Sequence, residues 1–208
     1  MPERIDRRDN LAYNSLMIKT TPTTTKTWLW VLRAALILSS MATIIFIFSN
    51  SLKPAEQSAQ QSSNVLQVVQ KIATIVAPNS QIANATGPLY DWLHSLLRSI
   101  AHFLEFFLLG ALCSGVCSTY TFAKIWQACP IGATATVAVV DECLQLTATA
   151  RAFQFTDILL DVCGGVAGVG FTIFCVWIGL CIYRRSKAKN KAAGTKAKQA
   201  FVNQAEKE

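Results

Sequence analysis

Eight ionisable residues and one glutamine interrupt stretches of this chain that are otherwise apolar: Arg98, His102 and Glu105, then Asp141, Glu142 and Gln145, then Arg151, then Asp157 and Asp161. Spacings of four and three residues put Arg98, His102 and Glu105 on one face of a helix, and Asp157 and Asp161 stand one helical turn apart. Five carboxylates against two arginines and one histidine leave an excess of negative charge, which calls for shared protons or a bound cation. Three kinds of chemistry fit such a set. Arg98, Arg151 and His102 can pair with the carboxylates and lock helices together. The group can instead line a polar pocket for a lipid headgroup or another polar ligand. Or it can react, with His102 or a carboxylate as general base and with His102, Glu105, Asp157 and Asp161 as ligands of a divalent cation. No metalloenzyme spacing and no nucleophile motif accompanies these residues, so the balance leans away from an enzyme and no cofactor is required.

The elements that carry these residues are membrane spans by composition. Of 208 residues 52% are hydrophobic and only 15% charged, and the apolar residues come in long blocks rather than in short amphipathic runs. A hydrocarbon layer of roughly 30 Å needs about 20 mostly apolar residues per helix. Four stretches meet that length, 28–48, 100–122, 125–146 and 158–183, and they predict an all-α, polytopic bundle of four transmembrane helices occupying 28–183. The first block follows a polar stretch of 27 residues and is full length, so it reads as a retained span rather than a cleaved signal peptide. All seven cysteines lie in the apolar blocks, where a thiol packs as a small hydrophobe. Neither a disulfide framework nor a zinc spacing is visible.

Charge then orients the bundle. Residues 1–27 carry Arg4, Arg7, Arg8, Lys19 and Lys26, and residues 184–208 carry eight more lysines and arginines; cationic flanks of this kind stay cytoplasmic. Arg33, just inside the first block, is expected to snorkel back to the headgroups. The joints placed outside carry only Lys53, Lys71, Arg98 and Arg151, and the short inner joint has Lys124. Four spans put both tails inside, in agreement. The net charge of +7 is therefore a topology signal, and nucleic acid is not an expected partner; the basic C-terminal tail reads as solvated and disordered. With this topology the ionisable residues of the second, third and fourth spans all reach the outer part of the membrane.

The joint 49–97 opens with a polar exit, Ser49-Asn50-Ser51, and Pro54 suits the first turn of a new helix. From Val65 to Val76 apolar residues recur at helical spacing in a segment too short and polar to cross, so an amphipathic helix is expected there, either on the outer surface or packed on the spans. Pro78, Asn79, Asn84, Gly87 and Pro88 mark a loop, and Tyr90 and Trp92 take positions typical of a bilayer boundary. Asn84-Ala85-Thr86 matches a glycosylation acceptor and is given no weight. In the fourth span Gly164 and Gly168 form a small-xxx-small pair, with Gly165 beside them, for close helix packing; Gly110, Gly115 and Gly132 are the candidate partners.

Taken in order, these residues resemble the VanZ-like family of bacterial membrane proteins. Phe48-Ser49-Asn50-Ser51 is similar to that family's first-span ending, and Arg98, His102, Phe103 and Glu105 to its second-span motif, with Phe106 where tyrosine is usual. Asp141-Glu142 with Gln145, then Arg151, then Asp157 and Asp161 with Gly164, Gly165 and Gly168, resemble its third and fourth spans. Ala148-Thr149-Ala150-Arg151 departs from the family's Pro-Gly-Arg turn. One member of that family is associated with resistance to glycopeptides, teicoplanin in particular. The resemblance therefore implies a multi-pass protein of a bacterial cell membrane acting at its outer face, with a lipoglycopeptide or a lipid-linked cell-wall precursor as partner. The alternative is an intramembrane enzyme acting on a lipid-linked or phospholipid substrate; a proton-coupled transporter ranks below both.

Overall fold

The structure, a computed structural model, describes residues 23–120, 128–148 and 154–205, with side chains over 27–120, 128–148 and 154–188. All regular structure among these residues is helical: α1 (Thr23–Ser51), α2 (Ala55–Val76), α3 (Pro88–Tyr120), α4 (Ala128–Gln145) and α5 (Phe155–Ala205). Contacts divide the chain into two units, Met1–Gly170 and Phe171–Glu208, and every residue discussed below as part of a site belongs to the first.

Three helical stretches are long and apolar enough to cross a membrane: Thr27–Ser51, Pro88–Tyr120 and Phe155–Ala188. The stretch expected to form the third of four spans differs. Its described helix, α4, has 18 residues and ends in Asp141, Glu142 and Gln145, which lower its mean hydropathy, and it is not among the three. The rest of that expected span and Lys124 lie outside the described residues.

Two helices extend beyond their apolar blocks. The apolar block opens at residue 100 and the span is expected to start near Tyr90 and Trp92; its helix begins at Pro88, because Gly87 takes a left-handed φ of 57° and turns the chain into a proline-led first turn, where a missing N–H costs nothing. The first helical bond follows at once, Asp91 N–H donating to Gly87 O at 3.1 Å. At the other end, α5 runs to Ala205 rather than stopping near residue 183. The tail expected to be disordered is rich in Ala, Lys, Arg and Gln, all strong helix formers, and it contains no proline to stop the helix.

The first unit is polar inside and apolar outside. Its buried polar residues, Ser40, Ser51, Ser114, Ser118, Thr134, Asp141, Glu142, Gln145 and Asp161, are as prominent as its buried hydrophobic ones, while Leu38, Ile45, Phe46 and Leu104 are more than half exposed. Water would not tolerate such an exterior, and lipid would. The apolar core is small: Ile47 from α1, Phe106 and Leu109 from α3, and Ala138 from α4, with Ile158 and Val162 of α5 packed against it. α3 is the central helix, in contact with α1, α2 and α4, and α1 also touches α4.

Glycines bring α5 onto α3. A Cβ added at Gly164 would strike Phe103 O, one at Gly168 would strike Phe107 O, and one at Gly110 would strike Gly165 O. Gly165 meets Thr134 of α4, whose Oγ1 would be 2.7 Å from an added Cβ. The small-residue expectation thus holds for Gly110, Gly164, Gly165 and Gly168. It does not hold for Gly132, which has open space around it, and Gly115 makes only ordinary contact with Leu36.

Arg33, expected near the headgroups at the entry of the first span, is held against the last turn of α3. Its Nη2 donates to Thr119 O at 2.7 Å and its Nε to Thr119 Oγ1 at 3.2 Å, and the guanidinium lies 3.9 Å from the Tyr120 ring centroid. A cation there satisfies an orphan carbonyl at the negative end of α3.

α2 begins ten residues before the apolar run that predicted it. Ser58, the first helical donor, bonds to Pro54 O at 3.2 Å. One face packs on the start of α3: Leu66 is fully buried, Tyr90 Oη donates to Ser63 Oγ, His94 Nε2 approaches Ala59 O, and Gln70 donates to Ala85 O. A second stripe, Val65, Val68, Ile72, Ile75 and Val76, stays exposed. Of the two expected arrangements, the structure shows the packed one, with an apolar stripe left exposed on another face.

Candidate functional site

Four helix segments deliver polar groups to one region: the end of α1, the middle of α3, the end of α4 and the start of α5. α1 ends in Asn50 and Ser51. Asn50 Nδ2 donates to Glu105 Oε1 at 3.2 Å, and Asn50 Oδ1 accepts from Lys53 Nζ at 2.8 Å. Ser51, almost fully buried, hydrogen-bonds Asp141 Oδ1 and also lies 3.1 Å from Ile47 O. The other oxygen of Asp141 accepts from Gln145 Nε2 at 2.9 Å, one turn further along α4. Glu142 Oε1 accepts from the backbone N–H of Gln154 at 2.7 Å, which ties the end of α4 to the residue preceding α5.

Asp161 on α5 and His102 on α3 face each other, with 4.0 Å between Asp161 Oδ1 and His102 Nδ1. One ligating atom from each of His102, Asp141 and Asp161 lies within 4.8 Å of the others. Asp141 is wholly buried and Asp161 is 2% exposed. Asp161 also lies within electrostatic reach of Glu105, Glu142 and Asp157. Among the described residues, Asp161 Oδ1 and Glu105 Oε2 are buried acceptors without a hydrogen-bond donor.

Above this buried layer are two cavities that share Arg98 and His102. The larger, about 380 Å³, lies between α3 and the start of α5, with Ser95, Arg98 and Ser99 on one side and Gln154, Thr156 and Asp157 on the other. The smaller, about 160 Å³, opens between α2 and α3 and reaches Asn50, Gln61 and Glu105. Arg98 is thus a cavity cation and is paired with none of the acids among the described residues.

Of the nine residues singled out in the sequence, eight are brought to this region; Arg151 and the turn before it lie outside the described residues. The four residues named as metal ligands are not gathered as a set. Asp141 joins His102 and Asp161, while Glu105 bonds to Asn50 and Asp157 lines the cavity. Sequence reasoning missed Ser51, Asn50, Gln154, Thr156, Ser95 and Ser99. Asn50 and Ser51 are visible as the polar exit of the first block and as part of the family-like Phe48-Ser49-Asn50-Ser51 run, but their partners depend on which helices are neighbours.

An apolar exterior, three helices long enough to span a bilayer and a buried carboxylate–imidazole layer define a multi-pass membrane protein with a polar interior. A family model described as VanZ/LLP1 matches residues 36–182, most of the chain and all of this site, so the chain belongs to the VanZ/LLP1 family. No curated protein and no solved structure matches it.

Proposed function

We propose that this protein binds the polar headgroup of a lipid or of a lipophilic glycopeptide at the outer face of a bacterial cell membrane, without transforming it. The observation that carries this reading is the cavity of about 380 Å³, lined by Arg98, His102, Thr156 and Asp157 and set in a unit whose exterior is apolar. A headgroup fits such a cavity while its acyl tail stays beside the helices, and Arg98 supplies a cation for a phosphate or carboxylate. Lipid-tailed glycopeptides and lipid-linked cell-wall precursors both have this amphiphilic form. In a susceptible host, expression is expected to raise tolerance to teicoplanin several-fold more than to a glycopeptide without a lipid tail, and Arg98→Gln is expected to remove the difference. Equal shifts for the two drugs would overturn the glycopeptide form of the proposal.

The same reading takes α4 and the residues before it as a fourth span, with both tails cytoplasmic and the 49–97 segment outside. The support is the lysine and arginine distribution together with the contact between the consecutive helices α3 and α4. Alkaline phosphatase fused at Asn84 is expected to be active and the same enzyme fused after Glu208 inactive; activity at the C-terminal fusion would reverse the topology.

A second reading, an intramembrane enzyme acting on a lipid-linked substrate, draws on the approach of His102 to Asp161 beside the cavity. Turnover of a lipid substrate that is lost in Glu105→Gln would favour it over binding alone.

A further inference from the structure

We infer that His102, Asp141 and Asp161 form a binding site for a divalent first-row transition cation, of the Zn²⁺ or Mn²⁺ class, on the floor of the headgroup cavity. Three independent features support it. The donor set is mixed: one imidazole nitrogen and two carboxylate oxygens suit zinc and manganese, whereas sites for Ca²⁺ or Mg²⁺ are built from oxygens alone. The three ligating atoms lie within 4.8 Å of one another, which leaves a cation only small side-chain movements short of bonding distances of about 2.0–2.2 Å. Finally, Asp161 Oδ1 is a deeply buried acceptor aimed at His102 with no hydrogen-bond donor among the described residues. Such an oxygen demands a proton or a cation.

The surroundings are those of a ligand shell. Both oxygens of Asp141 are fixed from outside the cluster, by Ser51 and by Gln145, and each keeps a lone pair for a metal. Two carboxylates together carry the charge that balances a divalent cation, which makes the burial of Asp141 and Asp161 at adjacent positions tolerable. Three protein donors leave at least one coordination position open. Because His102 belongs both to the cluster and to the wall of each cavity, that position is reached from the pocket.

The ligand it takes follows from charge. Glu105, Asp157 and the buried acids would repel an anionic headgroup, and Arg98 alone does not offset them. A bound cation neutralises the two ligating carboxylates, removing their repulsion, and offers a phosphate oxygen a direct ligand beside Arg98. The metal site rests on the cluster alone, while the phosphate ligand rests on the headgroup reading above.

The full-length protein in phosphatidylcholine nanodiscs, stripped with chelator and then equilibrated with Zn²⁺, is expected to retain one equivalent by elemental analysis. Asp161→Asn and His102→Gln are each expected to weaken retention by at least about tenfold, and Asp91→Asn, at an exposed acid in the first turn of α3, to leave it within about threefold. Mn²⁺ bound to the unmutated protein is expected to show electron-spin coupling to a single imidazole nitrogen, a readout that does not depend on any variant folding. No stoichiometric metal, retention unchanged in Asp161→Asn and His102→Gln, or an all-oxygen Mn²⁺ spectrum would each overturn the site. Phosphatidylglycerol, followed by native mass spectrometry, is expected to be held at least about tenfold better with Zn²⁺ than without, and uncharged diacylglycerol equally in both. Metal retained without any effect on phosphatidylglycerol would overturn the phosphate ligand and leave the metal site standing. Phosphatidylglycerol held equally with and without Zn²⁺, in a protein that retains none, would overturn the metal site and leave the pocket standing.

Discussion

Gly168→Ala is expected to destabilise the protein by about 3 kcal/mol, the upper end of the usual cost of overpacking, although it adds one methyl group to a helix. The added carbon would meet Phe107 O and stand 2.8 Å from Ala111 N, both backbone atoms of α3 that no rotamer change can move aside. α5 would have to withdraw from α3, and Asp161, two turns earlier on the same face, would withdraw with it from His102. The substitution is therefore expected to empty the site as well as to loosen the bundle, while touching neither the acids nor the cavity. Gly170→Ala supplies the comparison. It lies two residues away with nothing within 4 Å of an added Cβ, so it is expected to be neutral or to gain up to about 1 kcal/mol from helix propensity. Unfolding of the purified protein in mixed micelles, followed by circular dichroism, measures both. Equal stability of the two variants would show that α3 and α5 are not held by backbone contact.

The contrast between Gly168 and Gly132 also marks what could be read before any coordinates. Periodicity is a property of one helix, and it placed Arg98, His102 and Glu105 on one face and Gly164 and Gly168 on another without knowledge of neighbours. Pairing is a property of two helices. Gly132 has the same composition signal as Gly110, yet the crossing point of α4 and α5 falls at Thr134 and Gly165. Asp141 and Glu142 show the same limit at finer scale. They are adjacent, equally acidic and both buried, but a rotation of 100° per residue sends Asp141 toward Ser51 and His102 and Glu142 toward Gln154. Nothing local distinguishes them. Asn50 and Ser51 look like the polar end of any span until α1 is known to pack on both α3 and α4. The length of α5 escaped for a different reason: without an apolar period, helix propensity alone carries the tail to Ala205, and propensity is a weak signal beside hydrophobic patterning.

Asp141 separates architecture from charge, and two substitutions there are expected to part the two roles. Asp141→Leu removes the acceptor of both Ser51 and Gln145, each a charge-assisted hydrogen bond worth about 1.5–3 kcal/mol, and leaves two buried polar groups facing a hydrocarbon side chain. Recovery of part of the carboxylate's desolvation cost offsets some of this, so a net loss of about 3 kcal/mol is expected, with α1 detached from α4. Asp141→Asn keeps the shape. Its carbonyl still accepts from Gln145 and its amide can donate to Ser51 Oγ, so the stability change is expected to stay within about 1 kcal/mol. The charge is gone, however, and with it the balance a divalent cation needs beside Asp161. A folded Asp141→Asn protein that has lost metal, and with it the metal-dependent hold on phosphatidylglycerol, would assign Asp141 to the ligand set. A folded Asp141→Asn protein that keeps full metal affinity would confine Asp141 to joining α1 and α4.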